Sequence, residues 1–193
     1  MIRTGLKTKR LSERRLTVLK KVLALLLGFI TMSSQIQAST QLVIGSQAPD
    51  FTLPDETGNE WQLSKHLGKF VVLYFYPSDD TPGCTKQACS LRNKFKLFSD
   101  LNIVVVGINY DTQKSHKKFK EKYLLPFSLL SDRKKYVAKL YDARVWGIFE
   151  WFWPFPKRKT IIIDPKGTVI SIINNVDVAT HTDIVLEHIA AKK

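Results

Sequence analysis

The 193-residue chain is poor in the residues that build stapled or metal-bound scaffolds: two cysteines, two methionines and four histidines. Two cysteines cannot support a disulfide-built fold of this length. They stand at positions 84 and 89, a C-x-x-x-x-C spacing that lacks the C-x-x-C of zinc sites. His66, His116, His181 and His188 fall in unrelated segments and read as surface or helix-cap residues. Neither a metal nor another cofactor is expected. No apolar run reaches membrane-spanning length in a repeated way, which excludes a multi-span protein. From Gly45 to Lys193 there is no internal repeat, low-complexity stretch or linker, so one domain over 45–193 is the simplest organisation.

Acidic residues are also scarce, 17 against 30 Lys and Arg, for a formal net charge of +13. Such an excess suggests nucleic acid until its location is considered. Residues 1–38 hold eight bases and one acid, more than half of the excess. The remainder carries a charge ordinary for a soluble domain, and no basic–aromatic nucleic-acid motif accompanies it. A nucleic-acid partner is therefore not expected.

The first forty residues run basic from Arg3 to Lys21, apolar from Val22 to Met32, then small and polar. This is the layout of a secretory signal, with Ala38 before the cut. Eleven apolar residues span roughly 16 Å as a helix, short of a ~30 Å hydrocarbon core. Residues 1–38 thus read as a signal peptide, with an uncleaved membrane anchor as the alternative. Export, to a compartment such as the bacterial periplasm, follows.

Beyond Gly45, Phe70–Tyr76 (FVVLYFY) and Leu101–Ile108 (LNIVVVGI) are continuous apolar runs rich in β-branched and aromatic residues. They fit strands buried on both faces, as in the centre of a parallel sheet. Helical spacing covers Cys84–Phe98, with Leu91, Phe95 and Phe98 on one face. A second helix is expected over Asp111–Tyr123, and a third over Arg133–Tyr141 capped by Asp132, after a strand at Phe127–Leu130. Thr160–Ile163 and Thr168–Ile173 flank Asp164-Pro165-Lys166-Gly167, an antiparallel hairpin. A last helix starts at Thr180 or Thr182, with Ile184, Val185, Ile189 and Ala190 facing inward. The order predicts an α/β sandwich, a mostly parallel or mixed sheet with helices on both faces, similar to the thioredoxin-like fold.

The chemistry concentrates in Tyr76–Arg92, YPSDDTPGCTKQACSLR. Pro77 ends a strand, Pro82-Gly83 turns the chain, and Cys84 falls in the first turn of a helix. Free backbone N–H groups and the helix dipole there stabilise a thiolate. Thr81 can place its hydroxyl beside the sulfur. A permanent Cys84–Cys89 staple is disfavoured, because five residues along a helix separate the Cα atoms beyond the ~7 Å limit for a disulfide. The pair suits a switch that unwinds the helix to close.

This segment resembles the active-site signature of the peroxiredoxin Q, or bacterioferritin comigratory protein, family of atypical two-cysteine peroxiredoxins. That signature reads Tyr-Pro-x-Asp-x-Thr-Pro-Gly-Cys-Thr with a second Cys five residues on. Tyr76, Pro77, Asp79, Thr81, Pro82, Gly83, Cys84, Thr85 and Cys89 match it, and the likeness runs from Gly45–Leu53 to Ile163-Asp164. The resemblance implies a thiol peroxidase acting on hydrogen peroxide and organic hydroperoxides. Cys84 would be the peroxidatic cysteine and Cys89 the resolving one, closing an intramolecular disulfide. Pro77 would shield the sulfur, Thr81 orient the peroxide, and the Gly83 and Cys84 N–H groups bond its oxygens. Arg158, before the Thr160–Ile163 strand, would supply the cation, unless it is one member of a Lys157-Arg158-Lys159 surface run. Arg92 would anchor the helix. A thioredoxin or thioredoxin-like protein would return the electrons, and the enzyme would be a monomer or weak homodimer. An exported thioredoxin-like thiol-disulfide oxidoreductase is the competing function, against which the C-x-x-x-x-C spacing counts.

Arg144–Pro156 (RVWGIFEWFWPFP) departs from the family pattern. Burial over the site entrance or in a subunit contact is the first expectation for so many aromatics. The alternative is an exposed patch, through Trp146, Trp151, Phe152 and Trp153, that touches a membrane surface or an apolar hydroperoxide.

Overall fold

Two apolar strands in the middle of the chain set the architecture. In the computed structural model, which describes residues 42–145, 147 and 149–192 without the side chains of residues 149 and 150, they lie side by side in one sheet. The elements are β1 (Thr52–Pro54), β2 (Glu60–Gln62), a 3-10 turn (Leu63–His66), β3 (Phe70–Phe75), α1 (Pro82–Asn93), α2 (Phe95–Asp100) and β4 (Ile103–Asn109). They continue with α3 (Gln113–Tyr123), β5 (Ser128–Ser131), α4 (Tyr136–Leu140), α5 (Phe149–Phe152), β6 (Lys159–Ile163), β7 (Val169–Ile173) and α6 (His181–Ala190). Residues 1–38, expected from the sequence to be a signal peptide, and Trp146 lie outside the described residues.

The main sheet runs β5-β4-β3-β6-β7. β3 pairs parallel with β4, and β4 parallel with β5, while β6 and β7 are antiparallel additions. This is the expected mixed α/β sheet. All six residues of β3 are buried, and their alternation feeds two cores. Val71, Leu73 and Phe75 face Phe51, Trp61, Val137 and Tyr141. Phe70, Val72 and Tyr74 face Ala88 and Leu91 of α1, Phe119 of α3, and Val185 and Ile189 of α6. Helices therefore cover both faces, and full burial of each large apolar side chain contributes about 1.5–3 kcal/mol.

The expected hairpin forms around Asp164. Its Oδ1 accepts from the N–H of Lys166 (2.9 Å) and Thr168 (2.8 Å), and Gly167 takes φ 85°. A left-handed residue is required there, which favours glycine.

Several boundaries differ from expectation. The helix expected over 84–98 begins at Pro82, a favoured first helical residue, and is two helices broken at Lys94 (φ −104°, ψ 10°) after Asn93, a poor helix former. α4 starts only at Tyr136, because Lys135 is left-handed (φ 57°). Asp132 still caps it, accepting from Tyr136 N at 3.0 Å and Ala138 N at 2.8 Å. Ala190 is exposed rather than inward-facing, one residue past the buried Ile189. His116 and His181 are fully buried, not surface or cap residues, because each finds hydrogen-bond partners inside.

Candidate functional site

The site lies where the end of β3, the loop 76–81, the start of α1 and the approach to β6 converge. The register accounts for the meeting. β3 and β6 are antiparallel with Phe75 opposite Lys159, so the residue before β6 returns beside the residue after β3. Arg158 is thereby brought to Cys84 across 74 positions of sequence.

Cys84 is 1% exposed and stands third in α1, after Pro82 and Gly83. Arg158 Nη2 donates to its Sγ at 3.3 Å. Arg158 Nη1 donates to Gln87 Oε1, one turn further along α1. A methyl group on Gly83 would sit 3.4 Å from Arg158 Nη2, so the glycine leaves the guanidinium close access. Lys159 is buried and Lys157 exposed, so the three basic residues are not one surface run. Helix geometry leaves the Gly83 and Cys84 N–H groups without intrahelical partners, since the first backbone bond comes from Thr85 N to Thr81 O at 2.8 Å.

A cleft of about 410 Å³ is lined by Pro77, Ser78, Thr81, Trp153, Phe155, Pro156 and Arg158. Four of the five residues expected at the site thus share one locality: Pro77, Thr81 and Arg158 line the cleft, and Cys84 is bonded to Arg158. The Thr81 hydroxyl donates to Ser78 O at 3.1 Å, which fixes its direction and leaves its lone pairs available. Cys89, half-buried on α1, is the fifth; both thiols are free and the helix between them is intact. Arg92 anchors α1 as expected, through Nη1 to Tyr123 O at 2.7 Å.

Loop 76–81 is held from below by groups that residue patterns did not single out. Asp79 accepts from Tyr76 OH (2.7 Å), Ser115 Oγ (2.7 Å) and His116 Nδ1 (2.9 Å). Burial alone would raise its carboxyl; the bonds and charge of His116, with Ser115 and Tyr76, outweigh that and hold it below the usual range. Asp111 Oδ2 accepts from Asp79 N (2.7 Å), Ser78 Oγ (2.9 Å) and Asn109 Nδ2 (3.0 Å). The sequence signals for this network are Tyr76 and Asp79, both within the signature.

Gln87 and His181 were likewise missed. Gln87 Nε2 lies 3.3 Å from His181 Nδ1, and His181 Nε2 lies 2.8 Å from Thr160 Oγ1. Burial, with Arg158 nearby, lowers the His181 pKa to about 4.

The aromatic segment does not follow the burial expectation within this chain. Trp151 is 85%, Phe152 73% and Trp153 51% exposed, whereas Phe155 is half-buried and meets Trp153 edge-on at 5.8 Å. Among the described residues no group of three or more His, Cys, Asp or Glu could hold a metal ion.

Residues 44–172 match the AhpC/TSA family. Over 132 residues the chain is 48% identical to a chloroplastic peroxiredoxin Q of Oryza sativa subsp. japonica, covering 68% of this chain and 58% of the relative. It therefore spans somewhat under two thirds of that relative's length. It is similar in structure to the peroxidoxin BcpB of Mycobacterium tuberculosis, with TM-score 0.71, 33% identity, and coverage of 79% of this chain and 99% of that one. A second likeness is to the bacterioferritin comigratory protein of Xanthomonas campestris, studied for alkyl peroxide reduction. There the TM-score is 0.70, identity 28%, and coverage 78% and 97%. A thiol at a helix N-terminus, under an arginine and within these likenesses, has one family reading: the chain belongs to the AhpC/TSA family, in its peroxiredoxin Q and bacterioferritin comigratory protein group.

Proposed function

We propose that the protein is a thiol-dependent peroxidase. The observation that carries this reading is the 3.3 Å bond from Arg158 Nη2 to Cys84 Sγ beneath an open, largely apolar cleft. The Cys84 thiolate attacks one peroxide oxygen and the O–O bond breaks. The sulfur becomes a sulfenic acid, and the substrate leaves as water or alcohol after taking a proton. The N–H groups of Gly83 and Cys84 and the guanidinium of Arg158 stabilise the negative charge that develops on oxygen, while the Thr81 hydroxyl oxygen accepts from the peroxide O–H and orients it. Pro77 keeps bulk water from the sulfur. The Cys89 thiol then attacks the sulfenic sulfur, forms the Cys84–Cys89 disulfide and releases water. A thioredoxin-type dithiol restores both thiols by exchange.

The substrates are hydrogen peroxide and organic hydroperoxides, the latter favoured by the Pro77, Trp153, Phe155 and Pro156 walls. The exposed Trp151, Phe152 and Trp153 rest on a membrane surface beside that cleft. Residues 1–38 act as an export signal, to a compartment such as the periplasm, or remain as an anchor. All five proposed site residues come from one chain, which suits a monomer or a weak homodimer. Consumption of hydrogen peroxide and cumene hydroperoxide with a dithiol reductant tests the activity. Turnover is expected for the wild type and lost in Cys84→Ser; equal turnover in the two proteins would refute the assignment.

A further inference from the structure

We infer that His181, at the start of α6, is a positioning residue for Arg158 and acts on the peroxidase reaction through Gln87. This rests on the thiol-peroxidase reading. The hydrogen-bond directions are determined by chemistry from one end. Arg158 can only donate, so Gln87 must present Oε1 to it and turn Nε2 the other way. Nε2 can only donate, and it faces His181 Nδ1 at 3.3 Å, which must therefore be an unprotonated acceptor. The ring proton is then on Nε2, donated to Thr160 Oγ1 at 2.8 Å. The relay Arg158 to Gln87 to His181 to Thr160 has one consistent set of protons, and it ends on β6, a strand of the central sheet.

Burial favours this arrangement. Gln87 and Thr160 are 0% exposed and His181 is 1% exposed, so water cannot substitute for a lost partner. With the histidine Nδ1 lost, the Gln87 NH₂ is a buried donor without an acceptor, and the amide gains by swinging away to find one. The guanidinium would lose the contact that aims Nη2 at the sulfur. The ionisable groups around the ring do not reverse this. They are Arg158 before β6, the Cys84 and Cys89 thiols on α1, the Tyr74 phenol beside Thr160 in the β3–β6 register, and the Lys94–Asp183 pair where α1 meets α6. Arg158 itself disfavours a second cation on His181, and the ring stays neutral at neutral pH.

The relay also links the two halves of the cycle. Disulfide closure unwinds the first turns of α1, and Gln87 must leave both Arg158 and His181 as they open. His181 therefore supports the attack on peroxide and not the later closure of the disulfide, a division that a purely structural residue would not produce.

The test is rapid-reaction measurement of both steps in His181→Leu, His181→Gln and Thr160→Val, with folding checked by circular dichroism. His181→Leu removes the acceptor and is expected to slow peroxide attack by roughly tenfold or more, as misplacement of a reacting group does. Closure of the Cys84–Cys89 disulfide should not slow. His181→Gln, whose Oε1 can accept from Gln87 and whose NH₂ can donate to Thr160, should restore most of the rate. In an Arg158→Ala background His181→Leu should have no further effect, because the two act as one unit. Thr160→Val frees the ring to take the other tautomer and should also slow attack, which keeps the test valid should His181→Leu not fold. Unchanged attack in His181→Leu or Thr160→Val, or an equal loss with Arg158 already removed, would overturn the positioning role. A wild-type Cys84 that does not react with peroxide would instead remove the peroxidase reading on which it stands.

Discussion

A guanidinium 3.3 Å from a sulfur favours the thiolate and then meets the charge that passes to the leaving oxygen. Arg158→Ala should therefore lower the second-order rate with peroxide by about 10²–10³-fold, the usual loss for one oriented donor. An unchanged rate would leave Arg158 without a part in the reaction. His181 gives a second test at this scale, because its pKa moves from 6.5 to about 4 on folding. Between those values the unfolded chain binds the proton and the folded one does not, so stability is full above pH 6.5 and lost as pH falls toward 4. Asp132, raised by burial to about 6, opposes this, since the folded state there holds a proton that the unfolded chain releases. The difference between proteins isolates the histidine. On moving from pH 7 to about pH 4.5, denaturant unfolding should shift in favour of His181→Gln over wild type by about 2–3 kcal/mol; a constant difference would contradict the linkage. Cys84, Thr81, Pro77 and Arg158 could be singled out because the signature and one strand motif mark them. Gln87, His116 and His181 could not, since a histidine becomes a buried acceptor only through partners 21 to 94 residues away.

At the scale of elements, α1 carries both cysteines and remains helical from Pro82 to Asn93 while the thiols are free. Its N-terminal half is held by Gln87, and its C-terminal half by Ser90 Oγ to Thr182 Oγ1 at 2.7 Å and by Arg92 to Tyr123 O. Closing the disulfide should open the first turns and leave the second half docked. Amide exchange over residues 83–89 should rise on oxidation of the wild type and change little in Cys89→Ser, whose sulfenic acid has no neighbour to join. No rise in the wild type would contradict unwinding. The sheet is legible in the sequence, since β3 and β4 are uninterrupted apolar runs and the Asp164–Gly167 turn has its own chemistry. The break at Lys94 and the late start of α4 are not, because a single backbone residue decides each against an unbroken helical pattern. β1, β2 and α5 are three or four residues long, too short for periodicity to register.

For the whole molecule, two segments supply none of the five proposed site residues: residues 1–38 and the aromatic ridge. Among the described residues no helix is long and apolar enough to cross a membrane. Deleting 1–38 should leave an active domain, because the cleft and both cysteines lie beyond Gly45, and the full chain should fractionate outside the cytoplasm. Recovery of the full chain from the cytosol with Met1 intact would refute export. Exposure of Trp151 and Phe152 goes against the density of aromatics, which points to burial, because among the described aromatic side chains of the segment the cleft wall takes only Trp153 and Phe155. The account as a whole depends on two electrons leaving Cys84 and Cys89 together for each peroxide. The direct measurement mixes fully reduced protein with one equivalent of hydrogen peroxide, without reductant, and maps the cysteines by mass spectrometry. One peroxide consumed per chain, with a Cys84–Cys89 linkage and no free thiol, is the predicted result; both thiols intact with the peroxide unspent would contradict it.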